Sequence, residues 1–398
     1  MTVDSTVGRL RVSQRVREIP ASGIRKYFDL VNTIPDVISL GVGEPDFSTP
    51  THISSAAVAP LQDADYIATH YTSNYGLLSL RQALASHLGR LYGVSYDPAA
   101  ELLITVGVSE GLDIALRALV DPGDEVIIPE PSYVSYIPCT VLAGGVPVMV
   151  PTFERDGFEP QPEAIAAAIT PRTKVILLGY PNNPTGAVAR RETLERIVAL
   201  AIEHDLFIIS DEIYDRLVYG RHRHVCVSSL PGAQERTILL GGFSKAYAMT
   251  GWRVGYAAAP PDVLEAMMKV HQYIIMCAPS LAQMAAEVAL QTGEDDVARM
   301  VAEYDRRRRA IVDGLNALGL PCFEPQGAFY AFPDVSPTGL SSSEFAERLL
   351  REEHVLVVPG DAFGPAGAGH VRCSYATALP KIEEALTRIG RFVKRARG

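Results

Sequence analysis

Seven short apolar runs in the middle of the chain, separated by helical patterns, constrain the fold more than any other feature. They cover 102–108, 125–129, 146–150, 174–179, 206–210, 237–241 and 253–259. Most are continuously apolar rather than alternating, which marks strands buried on both faces. Helical patterns lie between several of them, at 110–119, 162–169 and 191–204. This strand–helix–strand rhythm predicts an α/β layer fold with a mostly parallel sheet. Connections are short and rich in turn residues, as in Asp121-Pro122-Gly123-Asp124 and Ala143-Gly144-Gly145.

The C-terminal third reads differently. Val297, Met300, Val301, Tyr304, Ile311, Val312 and Leu315 keep helical spacing through a long charged helix. Short strands near 328–332, 355–358 and 370–375, with helices at 342–352 and 381–394, predict a smaller α+β domain. At 398 residues the chain suits about two domains. The expected division is a large domain over 48–290 and a small one made from 1–47 and 291–398. The run Arg306-Arg307-Arg308-Arg309 is read as a solvated helix face with its aliphatic stems on the core.

Composition narrows the function classes. A net charge of −10 argues against nucleic acid as the main partner. The five cysteines are scattered and form no C-x-x-C pair, so no metal or redox site is expected and a reducing compartment is. The N-terminus lacks the apolar core of a signal peptide, and no run of 18 apolar residues exists. These features predict a cytoplasmic chain without membrane contact. Of 36 basic residues only six are lysines, so any amine chemistry has few candidates.

Four segments end buried strands with reactive side chains. Asp211 follows Leu-Phe-Ile-Ile-Ser, at the strand end where open α/β sheets bind ligands. A plain helix-capping aspartate is the bland alternative. Tyr214 shares its face if a helical turn starts there. Asn183 sits in Pro181-Asn182-Asn183-Pro184-Thr185-Gly186, a turn stiffened by two prolines. Lys245 follows the strand at 237–241 and lies between Ser244 and Arg253. Such a lysine has a depressed pKa and makes a good Schiff-base amine. Gly107-Val108-Ser109-Glu110-Gly111 joins a strand to a helix, where backbone N–H groups attract anions and Ser109 could equally be a simple N-cap. Arg372, inside an apolar strand, wants a planar carboxylate or a structural ion-pair partner.

Together these segments resemble the aspartate aminotransferase family, the class I/II aminotransferases of fold type I, which use pyridoxal 5'-phosphate (PLP). The likeness also includes Gly41-Val42-Gly43-Glu44-Pro45-Asp46-Phe47, the Asn-Asn-Pro-Thr-Gly string and Val371-Arg372-Cys373-Ser374-Tyr375-Ala376. The bacterial and archaeal branch of aspartate and aromatic aminotransferases is the most similar.

The resemblance implies a seven-stranded, mostly parallel sheet and a role for each matched residue. Lys245 would be the covalent and proton-moving amine, and Asp211 the partner of the ring nitrogen. Asn183 and Tyr214 would bond the ring's phenolic oxygen, and Tyr133 would stack on the ring. Val108, Ser109, Glu110, Ser244 and Arg253 would hold the phosphate. Gly242 stands where relatives often carry a hydroxyl, which leaves that shell one hydroxyl short. Arg372, with Asn183 and Gly43, would clamp the substrate's α-carboxylate. Tyr71 would reach the neighbouring site of a homodimer. No metal is implied.

The implied reaction is ping-pong transfer of an amino group from an L-amino acid to a 2-oxoacid such as 2-oxoglutarate. Serine at 109, where some aspartate-using relatives carry lysine, and the 22–30 segment with Tyr27 and Phe28, which resembles the aromatic-using branch, favour an aromatic or broad neutral donor. The alternatives are an aspartate aminotransferase, a C–S lyase or a cyclopropane-carboxylate synthase on the same fold, and a non-enzymatic regulator.

Overall fold

A computed structural model describes residues 13–19, 34–63 and 67–397. In chain order the strands are β1 Ile38–Ser39, β2 Leu102–Thr105, β3 Glu125–Glu130, β4 Val146–Pro151, β5 Thr173–Gly179 and β6 Phe207–Asp211. They continue with β7 Thr237–Gly242, β8 Gly255–Ala258, β9 Tyr330–Ala331, β10 Val355–Leu356, β11 Val358–Pro359 and β12 Val371–Ser374. Seven of them form one sheet in the order β2-β8-β7-β6-β5-β3-β4. All neighbours in it are parallel except the two pairs made by β8. The sheet is thus mostly parallel, as the apolar runs predict.

Both faces are covered, which explains the unbroken apolar runs. Val126, Ile128, Leu177 and Ile209 point to one face, against the helices Gly107–Leu119 and Pro261–Ile274. Ile127, Ile176, Leu178 and Ile208 point to the other, against Pro162–Ala168 and Arg191–Glu203. The edge strand β4 is only partly covered and carries two prolines, which edges tolerate.

Two runs end sooner than hydropathy suggests. The run at 102–108 stops at Thr105 because Gly107, at φ +73°, turns the chain into a helix that begins three residues before the expected start at 110. Val108, Ser109 and Glu110 therefore form that helix's first turn, and Ser109 is not its N-cap. The run at 253–259 yields a strand only from Gly255, since Arg253 adopts φ +53° after a tight turn over Thr250–Trp252.

The C-terminal third carries two smaller sheets. Strands β11, β12 and β9 are antiparallel, and β1 pairs in parallel with β10. The pairing of Ile38 with Val355 ties the segment before the large sheet to the C-terminal part. The arginine run corrects its reading as a solvated face. Arg306 and Arg309 are exposed, but Arg307 and Arg308 are buried. Arg307 pairs with Asp46 at 2.8 Å and Glu303 at 2.9 Å; Arg308 pairs with Asp305 at 2.8 Å and Glu324 at 2.7 Å. Buried guanidinium groups persist because such partners offset their desolvation. Among the described residues no helix is long and apolar enough to cross a membrane.

Candidate active site

The parallel strands bring their carboxyl ends to one side of the sheet, and a cavity of about 690 Å³ opens there. Asp211 is the last residue of β6, and Lys245 and Asn183 lie just beyond β7 and β5. All three line the cavity, with Tyr214, Tyr133, Ser244, Arg253 and Arg372.

Asp211 is buried and accepts two hydrogen bonds, from the Tyr136 hydroxyl at 3.0 Å and the Ile213 N–H at 3.2 Å. Burial lifts its pKa to about 6, against the pull of those donors and of Lys245. The Ile213 bond is a local turn contact; the chain continues from Asp211 into a turn rather than a helix, so the aspartate caps no helix. Its register partner Gly179 makes room for the tyrosine: a Cβ there would lie 2.1 Å from the Tyr136 oxygen.

Lys245 donates to the Gly43 carbonyl at 2.7 Å. Burial pushes its pKa down to about 8, with Arg372 and Arg253 adding to the shift and Glu44 opposing it. The amine is thus far readier to lose its proton than an ordinary lysine.

Arg372 is buried in a prepared nest. It donates to Asn183 Oδ1 at 2.9 Å and to the Gly41 carbonyl at 2.6 Å. Its guanidinium lies 4.4 Å from the ring centre of Tyr330 and 4.8 Å from that of Phe363. Its Nε is buried without a partner. The neighbouring Asn182 instead holds its own turn, accepting from the Thr185 hydroxyl at 2.8 Å. Only the second asparagine of the string faces the cavity.

Another part of the cavity wall has the chemistry that suits an anion. The N-cap residue of the helix Gly107–Leu119, Val106, has no side chain that can cap the first-turn N–H groups, and Ser109 lines the cavity beside them. The backbone is packed close: a Cβ on Gly107 would lie 2.7 Å from Arg253 Nη2, and one on Gly255 would lie 2.8 Å from the Val108 nitrogen. A Cβ at Gly242 would meet Gly255 Cα and Ile213 Cδ1 at 3.2 Å, so the space of the missing hydroxyl is largely filled. Glu110 turns its carboxylate away from the cavity, to the Val106 N–H and to His271 Nδ1 at 2.5 Å. Only its backbone is left for an anion.

Tyr71 does not line the cavity and is 80% exposed. The 22–30 segment with Tyr27 and Phe28 lies outside the described residues. Sequence reasoning missed Tyr136 and Tyr330. Tyr136 follows Tyr133 by three residues, across a turn closed by the Tyr136 N–H on the Tyr133 carbonyl at 3.1 Å, a spacing that could have flagged it. Tyr330 stands in an apolar strand and gave no sign.

The model of the family described as aminotransferase class I and II matches residues 35–389. The chain belongs to the class I and II aminotransferases. It is 45% identical over 387 residues to aromatic-amino-acid aminotransferase 2 of Thermococcus litoralis, covering 97% of this chain and 99% of that one. It is 44% identical over 387 residues to the aspartate aminotransferase of Pyrococcus abyssi, again 97% and 99%. The crystal structure of the aromatic aminotransferase from Pyrococcus horikoshii superposes with a TM-score of 0.88 at 45% identity, covering 94% of this chain and 99% of that one. As an aminotransferase the chain is an enzyme that moves an amino group between an amino acid and a 2-oxoacid. Enzymes of this class use PLP.

Proposed function

We propose that this aminotransferase binds PLP in the cavity and moves the amino group of an aromatic or neutral L-amino acid to a 2-oxoacid such as 2-oxoglutarate by a ping-pong mechanism. One observation carries the reading: a low-pKa amine, a buried carboxylate, an uncapped helix end with an arginine, and a nested guanidinium share one cavity. Those groups fit a ligand with a carbonyl, a ring nitrogen and a phosphate, and the first turn of the helix Gly107–Leu119 offers backbone N–H groups to the last of these. When bound, PLP supplies a carbonyl that takes up amines and a ring that withdraws electrons from the adjoining carbon.

The chain's own residues do the rest. Lys245 Nζ holds the cofactor and moves the proton at the substrate's α-carbon. Asp211 Oδ2, with Tyr136 donating to it, keeps a proton on the ring nitrogen. Tyr214 and Asn183 hold the phenolic oxygen, and Tyr133 covers the ring. The backbone at Val108, Ser109 and Glu110, together with Ser244 and Arg253, holds the phosphate. Arg372 takes the α-carboxylate beside Asn183 and Gly43.

The neutral donor rests on charge. Among the described residues the cations lining the cavity are Lys245, Arg253 and Arg372, each already assigned. Position 109 is serine, and Glu44 adds a negative wall tethered by the Thr250 hydroxyl. The likeness to a relative named aspartate aminotransferase supports aspartate as the second reading.

A homodimer completes the proposal. Tyr71 stands in the open, and so do Tyr273, Ile274 and Met276, which are 87%, 53% and 46% exposed. Asn74 joins the two segments by donating to the Met276 carbonyl at 2.9 Å. Such a patch suits a second copy of the chain. We also propose the division into a large domain over 48–290 and a small one from 1–47 and 291–398, in a cytoplasmic protein whose five cysteines stay free.

The test is a spectral titration. Each amino acid is added to the PLP-loaded protein, and conversion to the pyridoxamine form is followed. Tyrosine or phenylalanine should convert it at lower concentration than aspartate; the reverse order would install the second reading. Lys245→Ala should fold, bind no cofactor covalently and lose at least about 10³-fold in rate. Transamination by that variant at the wild-type rate would overturn the proposal.

A further inference from the structure

We infer that Tyr330 is a positioning residue that joins the carboxylate clamp to the group holding the cofactor's phenolic oxygen. The inference rests on the cofactor placement proposed above. Tyr330 is fully buried on β9, yet it lines the cavity. Its register partner on β12 is Ser374, two residues from Arg372, so the tyrosine and the arginine are diagonal neighbours on one sheet face. That geometry sets the Tyr330 ring 4.4 Å beneath the guanidinium of Arg372. Its hydroxyl reaches the other way, to the Tyr214 hydroxyl at 2.7 Å.

The position is enforced from a third side. A Cβ on Gly43 would lie 2.3 Å from the Tyr330 oxygen, so the hydroxyl fills the space that any side chain at 43 would need. The Gly43 carbonyl in turn accepts from Lys245. One phenol thus touches the residue that would clamp substrate, the residue that would tune the cofactor, and the backbone that steadies the lysine. Among the described residues the charged and titratable groups close to the two phenols are Arg372, Tyr133 and, over the Tyr214 ring, Lys245.

The direction of the effect follows from hydrogen-bond polarity. If Tyr214 donates to the phenolic oxygen, only Tyr330 can donate to Tyr214. A hydroxyl that accepts one bond is a stronger donor in the next. Tyr330 therefore strengthens the bond that stabilises negative charge on the phenolic oxygen. That charge is greatest when the lysine-linked nitrogen has lost its proton. Tyr330 should hold the pKa of that nitrogen down, while its ring separately holds Arg372 in place.

The two halves separate by substitution. The PLP-loaded protein is titrated with pH while its absorption is followed, and donor KM and kcat are measured alongside. In Tyr330→Phe the absorption midpoint should rise by roughly half a unit to one unit, with donor KM within about twofold of wild type. In Tyr330→Leu the same rise should come with a KM increase of about tenfold, since the platform under Arg372 is gone. A Tyr330→Phe midpoint equal to wild type would overturn the inference, whatever the leucine variant does. So would an equal KM rise in both variants. A wild-type protein with no pH-dependent cofactor band would instead remove the cofactor placement, and this inference with it.

Discussion

The two arginines that line the cavity are built on different plans. Arg372 is held by the fold alone: two acceptors, two aromatic faces and burial fix it in place, with only its Nε unpartnered. Arg253 is exposed, sits at a left-handed backbone position and donates to its own turn, at the Thr250 carbonyl. The contrast matches the lifetimes of the proposed ligands. A substrate carboxylate leaves in every cycle, so its clamp must be stable while empty. A phosphate that stays can itself organise the residues around it.

The sharpest way to break this contrast is one substitution made twice. Lysine keeps the charge but loses the planar fork and the stacking. Arg372→Lys should therefore lower kcat/KM by about 10²-fold or more, because a fitted fork and two ring contacts are lost together. Arg253→Lys, where a point charge near the helix end still serves, should weaken PLP binding only about three- to tenfold. Equal losses, measured as kcat/KM at saturating PLP and as PLP affinity, would show that the two arginines are not built differently.

The sequence was most legible where chain direction alone decides geometry. Asp211, Asn183 and Lys245 all follow apolar runs, and parallel strands deliver such residues to one side whatever their separation. Contacts made across the fold left no local trace. Tyr136 reaches Asp211 only because Gly179 on the adjacent strand lacks a side chain. Tyr330 reads as one more apolar strand residue until β12 places Arg372 above it. The arginine run failed for the same reason: the partners of Arg307 and Arg308 include Asp46 and Glu324, which no helical spacing reveals. Where the helix after β2 begins was set by one left-handed glycine, which hydropathy does not register.

A second test sharpens the idea that the phosphate site is unfinished in one chain. Tyr71 is too exposed to serve its own cavity, so its proposed role needs a second copy. The protein should sediment as a dimer. Tyr71→Phe should weaken PLP retention roughly tenfold, the cost of one charge-assisted hydrogen bond. Donor KM at saturating PLP should stay within about twofold, because the Arg372 nest is untouched. PLP affinity unchanged in the variant would return the tyrosine to the surface, and a monomer in sedimentation would remove the shared site altogether.

The smallest expected effect lies at Asp211. Arg372 carries its charge with its own acceptors, whereas Asp211 carries one for which the surrounding residues supply too little compensation. Its pKa is raised by burial, from 3.8 to about 6, so between those values the folded chain binds more protons at this site than the unfolded one. Stability therefore falls as pH rises through that window, and the full cost, of order 2–3 kcal/mol, is present above it. Asp211→Asn removes the charge and keeps an oxygen for the Ile213 N–H. Without PLP at pH 7.5 that variant should melt a few degrees higher than wild type, and the gap should close near pH 4. With PLP the order should reverse, because only the carboxylate has a cation to meet in the ring nitrogen. Arg372→Met should show no such gain, since it strips donors from Asn183 and from the Gly41 carbonyl. Thermal melts of these three proteins, with and without PLP at both pH values, decide whether Asp211 is held at a cost that the cofactor relieves. An Asp211→Asn protein that melts lower than wild type without PLP would mean that the carboxylate is already compensated by the fold.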